Sequence, residues 1–319
     1  MSLKINPILK SNKIRVGITI GDPSGIGPAI TLKAVNKLKN LADFVVIGDG
    51  HLLKDLSAAR LVDLDNINGK KFSRGKISAE YGRASIEYLD KALDLLRRKE
   101  IDCLVTAPIS KEAVMKAGYK YGGHTEYFLN KTGVEEVVML LLNDFLKFGL
   151  ITRHISLKAV PAALSKDKLC KDVAIVFKAL KNLFGIQSPR LALCSLNPHA
   201  SENGLIGKEE KRIMQPALKM LRKGINIDGP LAADVAILRA YQGKYDCLIA
   251  MYHDQALIPL KLTGFATGAN MTLGLPFIRT SPLHGTAFDI AKTPRLADPS
   301  SMIAAIKLAI KCAFYLKRV

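Results

Sequence analysis

Three of the chain's six histidines stand just past short apolar runs: His154 after KFGLITR, His199 after LALCSLNP and His253 after CLIAMY. A neutral imidazole is a good donor to a divalent cation. Three of them, with positions left open for a substrate oxygen, make a catalytic rather than a structural metal site. If each run is a strand, its carboxyl end delivers a histidine to the side of an open α/β sheet where ligands collect. The three lie far apart along the chain, so spacing leaves two readings open. They share one metal, or each is satisfied separately in the fold.

A second set of residues suits an anion. Lys261, Asn270 and Arg279 recur nine residues apart among Gly and Pro turns, offering two fixed cations and an amide; ordinary surface charge is the other reading. In GGHTEYF, His124 and Thr125 open a helix whose free backbone donors can meet a phosphate, or simply cap the turn. RVGITIGDPSGIGPAI reads as a strand, a Gly-rich turn and a helix with Pro28 in its first turn. It is neither a G-x-G-x-x-G nor a Walker loop, and a tight turn explains it as well as an anion cradle does. Asp234 and Asp254 are the carboxylates nearest these motifs, able to orient a ligand or accept a proton, or to serve as caps and ion-pair partners.

The elements that must position these side chains follow from periodicity. Val/Ile/Leu-rich runs at 15–20, 44–47, 103–106, 148–152, 191–196 and 247–251 alternate with amphipathic stretches. This is the pattern of strands covered by helices on both faces, an α/β class. Residues 78–98 place Ile86, Leu89, Leu93 and Leu96 on one helical face, and 209–222 do the same with Ile213, Ala217 and Leu221. At 319 residues two domains are expected, discontinuous because no linker separates them. The apolar stretch 134–150 marks entry into the second.

A net charge of +19 suits nucleic acid, a membrane surface or a small anion. The lysines come in ones and twos, no aromatic interleaving is present and Trp is absent, which argues against nucleic acid. The five cysteines form no CxxC pair, and Cys103, Cys194 and Cys247 fall in strand-like runs. A reducing cytoplasm is therefore the expected setting. The N-terminal MSLKINPILKSNK has no sustained apolar stretch, and no run is long enough to span a bilayer.

GDPSGIGPA, TAPISKEA, GHTEYF, NPHASENGLIG, DGPLAAD, YDCLIAMYHDQA and NMTLGLPFIRTSPLHGTAFDIA, in that order, resemble the signature blocks of the 4-hydroxythreonine-4-phosphate dehydrogenase family. The resemblance implies two α/β domains like those of isocitrate and isopropylmalate dehydrogenases, expected as 1–128 with about 276–319 on the cofactor side and about 129–275 as the second. It implies a homodimer with the metal site shared across its interface. His154, His199 and His253 correspond to ligands of one divalent metal (zinc, cobalt or magnesium). His124, Thr125, Lys261, Asn270 and Arg279 correspond to contacts with a small phosphorylated hydroxy acid. PLHGTAFDIAK is similar to a loop holding the adenosine of NAD or NADP, which places cofactor contacts at His284, Gly285, Thr286, Ala287 and Asp289. The implied reaction oxidises and decarboxylates 4-phosphohydroxy-L-threonine to 3-amino-2-oxopropyl phosphate, on the way to pyridoxal 5'-phosphate. Asp234 is the expected proton-handling group.

The chain departs from the family pattern at Ser24, Ala29, Ala256, in the loop PHASENGLIG and in KTPRLADPSS after Ala291. These changes leave the corresponding ligands intact and alter loops beside them, so a same-fold enzyme acting on phosphothreonate or phosphoerythronate is the competing reading. A three-histidine metallohydrolase and a basic nucleic-acid binder are the alternatives from other classes.

Overall fold

A computed structural model describes residues 13–317; the N-terminal segment expected to carry no targeting stretch lies outside the described residues. The chain forms two compact units, residues 13–123 with 284–314, and residues 124–283 with 315–317. These boundaries differ from the expected 128 and about 276. Helix His124–Thr132 goes whole with the second unit, where Tyr127 and Phe128 are buried and Phe128 meets Phe277 edge-on at 5.6 Å. The strand Arg279–Pro282 also stays there, because its ladder partner is the strand Ala269–Leu273.

In the first unit four parallel strands, β1 (Arg15–Thr19), β2 (Asp43–Gly48), β3 (Arg60–Asp63) and β4 (Cys103–Thr106), lie in the order β3-β2-β1-β4. β2, β1 and β4 are buried along nearly their whole length, as strands covered on both faces must be. Helix Ala79–Arg97 starts where the Ser78 hydroxyl accepts from Tyr81 N at 3.3 Å, satisfying one of the donors a helix start leaves free. Tyr81, Ser85, Tyr88, Leu89, Ala92 and Leu93 form its buried stripe.

The second unit holds β5 (Val138–Leu142), β6 (Lys147–Leu150), β7 (Leu191–Cys194), β8 (Ile227–Leu231), β9 (Cys247–Ala250), β10 (Ala269–Leu273) and β11 (Arg279–Pro282). Their order is β11-β10-β5-β6-β9-β7-β8. The β11-β10-β5-β6 half is antiparallel and the β6-β9-β7-β8 half parallel. The apolar stretch 134–150 is thus a hairpin, its turn held by Asn143, whose Oδ1 accepts from Phe145 N at 2.9 Å and Leu146 N at 2.8 Å. The expected helix 209–222 is a π-turn, Glu210–Met214, running into the α-helix Gln215–Leu221. Among the described residues no helix is long and apolar enough to cross a membrane.

Candidate functional site

The three strand-end histidines come from neighbouring parallel strands. β6, β9 and β7 lie side by side, and His154, His253 and His199 follow their carboxyl ends. The His154 and His253 rings have centroids 5.4 Å apart, inclined at 51°. Two imidazoles bound to one zinc through nitrogens ~2 Å away have ring centres about 5 Å apart, so this pair fits one cation. Asp254 Oδ1 lies 2.6 Å from His253 Nδ1, the kind of carboxylate partner that orients a ligand imidazole and leaves its other nitrogen to the metal. His199 is exposed and opens a left-handed turn in which His199, Ala200, Ser201, Glu202 and Asn203 all have φ between 44° and 65°. No three His, Cys, Asp or Glu side chains among the described residues stand close enough to hold an ion together. One chain thus brings two of the three histidines together.

The anion candidates divide similarly. Arg279 on β11 is 3% exposed; its Nη1 donates to Thr272 Oγ1 at 2.9 Å, and the guanidinium lies 5.8 Å from the Phe128 ring centre. Burial lowers its pKa to about 9, which leaves it charged near neutrality. His124 stacks on the same Phe128 ring, with centroids 6.3 Å apart. Burial first, and the charge of Arg279 second, hold His124 well below the usual imidazole range. Its Nε2 is buried without a hydrogen-bond partner. Asn270 faces the same side of the β10–β11 ladder as Arg279, two residues along from Thr272. Its Nδ2 donates to Ser281 Oγ at 3.3 Å while its Oδ1 is buried and unpartnered. Buried polar atoms without partners are rare enough to ask for an explanation, and a bound polar ligand supplies one. Thr125 is half-buried in the first turn of helix His124–Thr132. Lys261 is exposed, its ammonium 5.6 Å from the Phe265 ring centre, and Asp234 is exposed in the first turn of helix Ala233–Tyr241.

In the first unit the Gly-rich turn packs directly on the 284–289 loop. Ile26 N donates to Thr286 O at 3.0 Å, and a Cβ on Gly25 would sit 2.8 Å from that same oxygen, so glycine is required for the approach. His284 has its Nδ1 at 3.0 Å from Gly285 O and its Nε2 buried without a partner. Ala287 turns the loop at φ 45°, Gly285 has open space around it and Asp289 is exposed. An open backbone corner beside an unsatisfied imidazole suits the polar edge of a nucleotide.

Asp22 organises the turn. Its buried Oδ1 accepts from Ser24 N at 3.0 Å and faces Ser24 Oγ at 3.0 Å, while Oδ2 is buried without a partner. Burial outweighs these donors and pushes the carboxyl up to about 6. A folded-state pKa above the unfolded one means that the group's stabilising contribution is full below 3.8 and is lost as pH rises through about 6. At about 1.4 kcal/mol per pH unit, the loss is about 3 kcal/mol. The variant Asp22→Asn should therefore lose less stability than the parent between about pH 4 and 7. Urea denaturation across that range measures it; parallel curves for the two proteins would mean that Asp22 is ionised throughout.

Phe128, Asp22, Glu210 and Gln255 shape these sites and were not singled out by motif or periodicity. Glu210 sits in the charged run KEEKR and reads as surface, yet it is 1% exposed. Gln255 reads as an ordinary helix residue, yet its Oε1 accepts from Met251 N and its Nε2 donates to Ser195 O.

The chain matches the family described as Pyridoxal phosphate biosynthetic protein PdxA over residues 18–309. A 4-hydroxythreonine-4-phosphate dehydrogenase of Sulfurihydrogenibium sp. is 44% identical over 326 residues, covering 96% of this chain and 99% of its own. A D-threonate 4-phosphate dehydrogenase of Salmonella typhimurium is 40% identical, covering 93% of this chain and 98% of its own. Among solved structures, a 4-hydroxythreonine-4-phosphate dehydrogenase from Klebsiella pneumoniae is similar with a TM-score of 0.87 at 35% identity, covering 96% of this chain and 99% of its own. With the family match running through both units and the relatives aligned almost end to end, the chain belongs to the PdxA family of pyridoxal phosphate biosynthetic proteins.

Proposed function

We propose that the protein is a dehydrogenase that oxidises and decarboxylates 4-phosphohydroxy-L-threonine with NAD or NADP, giving 3-amino-2-oxopropyl phosphate for pyridoxal 5'-phosphate synthesis. The observation that carries this reading is buried Arg279 with half-buried His124 and Asn270, a cation grouped with two buried polar atoms that lack partners. It suits the anionic part of a small substrate held away from water. Thr125 and Lys261 complete the substrate contacts in this reading.

His154, His199 and His253 are the residues to hold one divalent cation, zinc, cobalt or magnesium. When bound, the cation would supply a Lewis acid for the substrate hydroxyl, and a nicotinamide would supply the hydride acceptor. Asp234 is the proposed acceptor of the hydroxyl proton. Arg279 and Lys261 oppose the negative charge that develops as CO2 leaves. His284, Gly285, Thr286, Ala287 and Asp289 line the proposed adenosine contact.

The enzyme is proposed to act as a homodimer that completes the metal site across its interface. Val235, Leu238 and Tyr241 on one helix and Ile258 and Leu262 on another, with Phe265 just past its end, are exposed apolar residues, and a second copy would cover them. Function in the cytoplasm is consistent with five free cysteines.

The second reading, oxidation of D-threonate 4-phosphate, is motivated by the Salmonella typhimurium relative at 40% identity. Nicotinamide reduction and CO2 release, measured in parallel with each acid, separate the two. Turnover of 4-phosphohydroxy-L-threonine supports the first proposal, and turnover of the non-amino acid alone overturns it. A requirement for metal with no requirement for NAD or NADP would overturn both.

A further inference from the structure

Behind the histidine-bearing strand ends lies a set of buried hydrogen bonds that the proposed chemistry does not use. Gln255 is 7% exposed and sits two residues past His253, in the first turn of helix His253–Gly264. Its Oε1 accepts from Met251 N at 2.7 Å and its Nε2 donates to Ser195 O at 2.8 Å. Met251 directly follows β9 and Ser195 directly follows β7, and the ladder between those strands ends at Leu193 and Ile249. One side chain therefore supplies a further rung after the backbone rungs stop, joining the two strand ends that lead to His253 and His199.

The His199 side has a second anchor. Glu210 is 1% exposed; its Oε1 accepts from Leu196 N and Asn197 N, both at 2.9 Å, and its Oε2 from Asn197 Nδ2 at 2.9 Å. Three donors compensate a carboxylate that would otherwise be costly to bury. Two residues beyond Asn197 the left-handed turn begins, with five non-glycine residues at positive φ from His199 to Asn203. Such a turn persists only where its surroundings over-determine it. The Glu210 clamp fixes the point from which it departs.

We infer that Gln255 and Glu210 are positioning residues of the metal centre. Gln255 ties together the ends of β9 and β7, from which His253 and His199 depart towards sites completed across the proposed dimer, and Glu210 holds the root of the turn that presents His199. The inference rests on the metal reading proposed above. Neither side chain is a ligand; each acts through a histidine loop, as partners behind metal ligands do elsewhere.

The test is direct titration of the metal-stripped, full-length protein with Zn(II), together with its thermal midpoint without metal. Gln255→Met keeps the side-chain length and removes both hydrogen bonds; it should weaken Zn(II) binding by about 10- to 100-fold. Glu210→Leu should do likewise, while Glu210→Gln, which retains an acceptor for the two backbone donors, should recover most of the affinity. Gln255→Glu keeps the acceptor for Met251 N and loses the donor to Ser195 O, so it provides an intermediate case if Gln255→Met does not fold. Tyr245→Phe, which removes a 2.7 Å bond to Asp228 in the same unit, should lower the midpoint and leave Zn(II) affinity unchanged. Wild-type affinity in Gln255→Met and Glu210→Leu, with binding abolished in His253→Ala, would overturn the positioning role and leave the metal reading standing. A parent protein that binds no Zn(II), or a His253→Ala variant that binds as the parent does, would overturn the metal reading and the positioning role with it.

Discussion

Arg279→Met is expected to lower kcat/KM for the phosphorylated substrate by about 10²–10³-fold, with no loss of folding stability. The first half follows from removing a buried cation from a water-poor site, where one charge-stabilising donor is worth about 3–4 kcal/mol. The second half follows from the cost of burying that cation. Arg279 is 3% exposed, and burial alone depresses its pKa to about 9. Met fills a similar length of apolar space beside Phe128 without that penalty, so stability should stay level or rise. Arg279→Lys provides the contrast, since it restores charge without the planar fork that reaches Thr272. Steady-state kinetics paired with urea denaturation measures both halves. A variant that loses activity and stability together would mean that the guanidinium is a packing element rather than a binding group.

The second large effect lies in the first unit. Gly82→Ala should destabilise the protein by about 3–5 kcal/mol, lowering Tm by about 10 °C. A Cβ at Gly82 would stand 2.0 Å from Ala113 O, 2.2 Å from Ala113 C and 2.6 Å from Val114 N. These are backbone atoms of helix Lys111–Lys116, so no side chain can rotate away and the whole helix must shift. In an unobstructed helix interior the same change gains about 1 kcal/mol. Here the overpacking cost exceeds that gain. Thermal denaturation decides the sign, and an unchanged or higher Tm would show that helix Lys111–Lys116 slides at little cost.

Both predictions concern residues whose types the sequence displays and whose consequences it does not. Arg279 stands in a recognisable motif, but nothing in its spacing distinguishes a buried cation from a surface one; Lys261, from the same nine-residue series, is exposed. Gly82 lies within a helix whose capping serine and apolar stripe are legible, and a glycine there reads as a mild weakness. The contact that makes it necessary comes from a segment some thirty residues on. Strands were legible where apolar runs are buried on both faces, as in β1, β4 and β9. β10 and β11 were missed because ANMTL and RTSP mix polar site residues with apolar ones, and that mixture carries no clear period.

What the sequence determined by itself was therefore local and chemical. It specified the α/β class, through two incompatible hydrophobic periods in alternation. It marked the histidines after apolar runs, and the family through blocks that keep their order along the chain. What only the tertiary structure decided was adjacency. β6, β9 and β7 follow one another in the sheet though not in the chain, which brings His154 beside His253. A polar side chain's partners depend on what the fold packs around it, so Glu210 became a clamp and Gln255 a rung only once the strands had met. The left-handed turn at His199 was equally hidden, because Ala200, Ser201 and Glu202 favour that conformation only when neighbouring structure holds them in it.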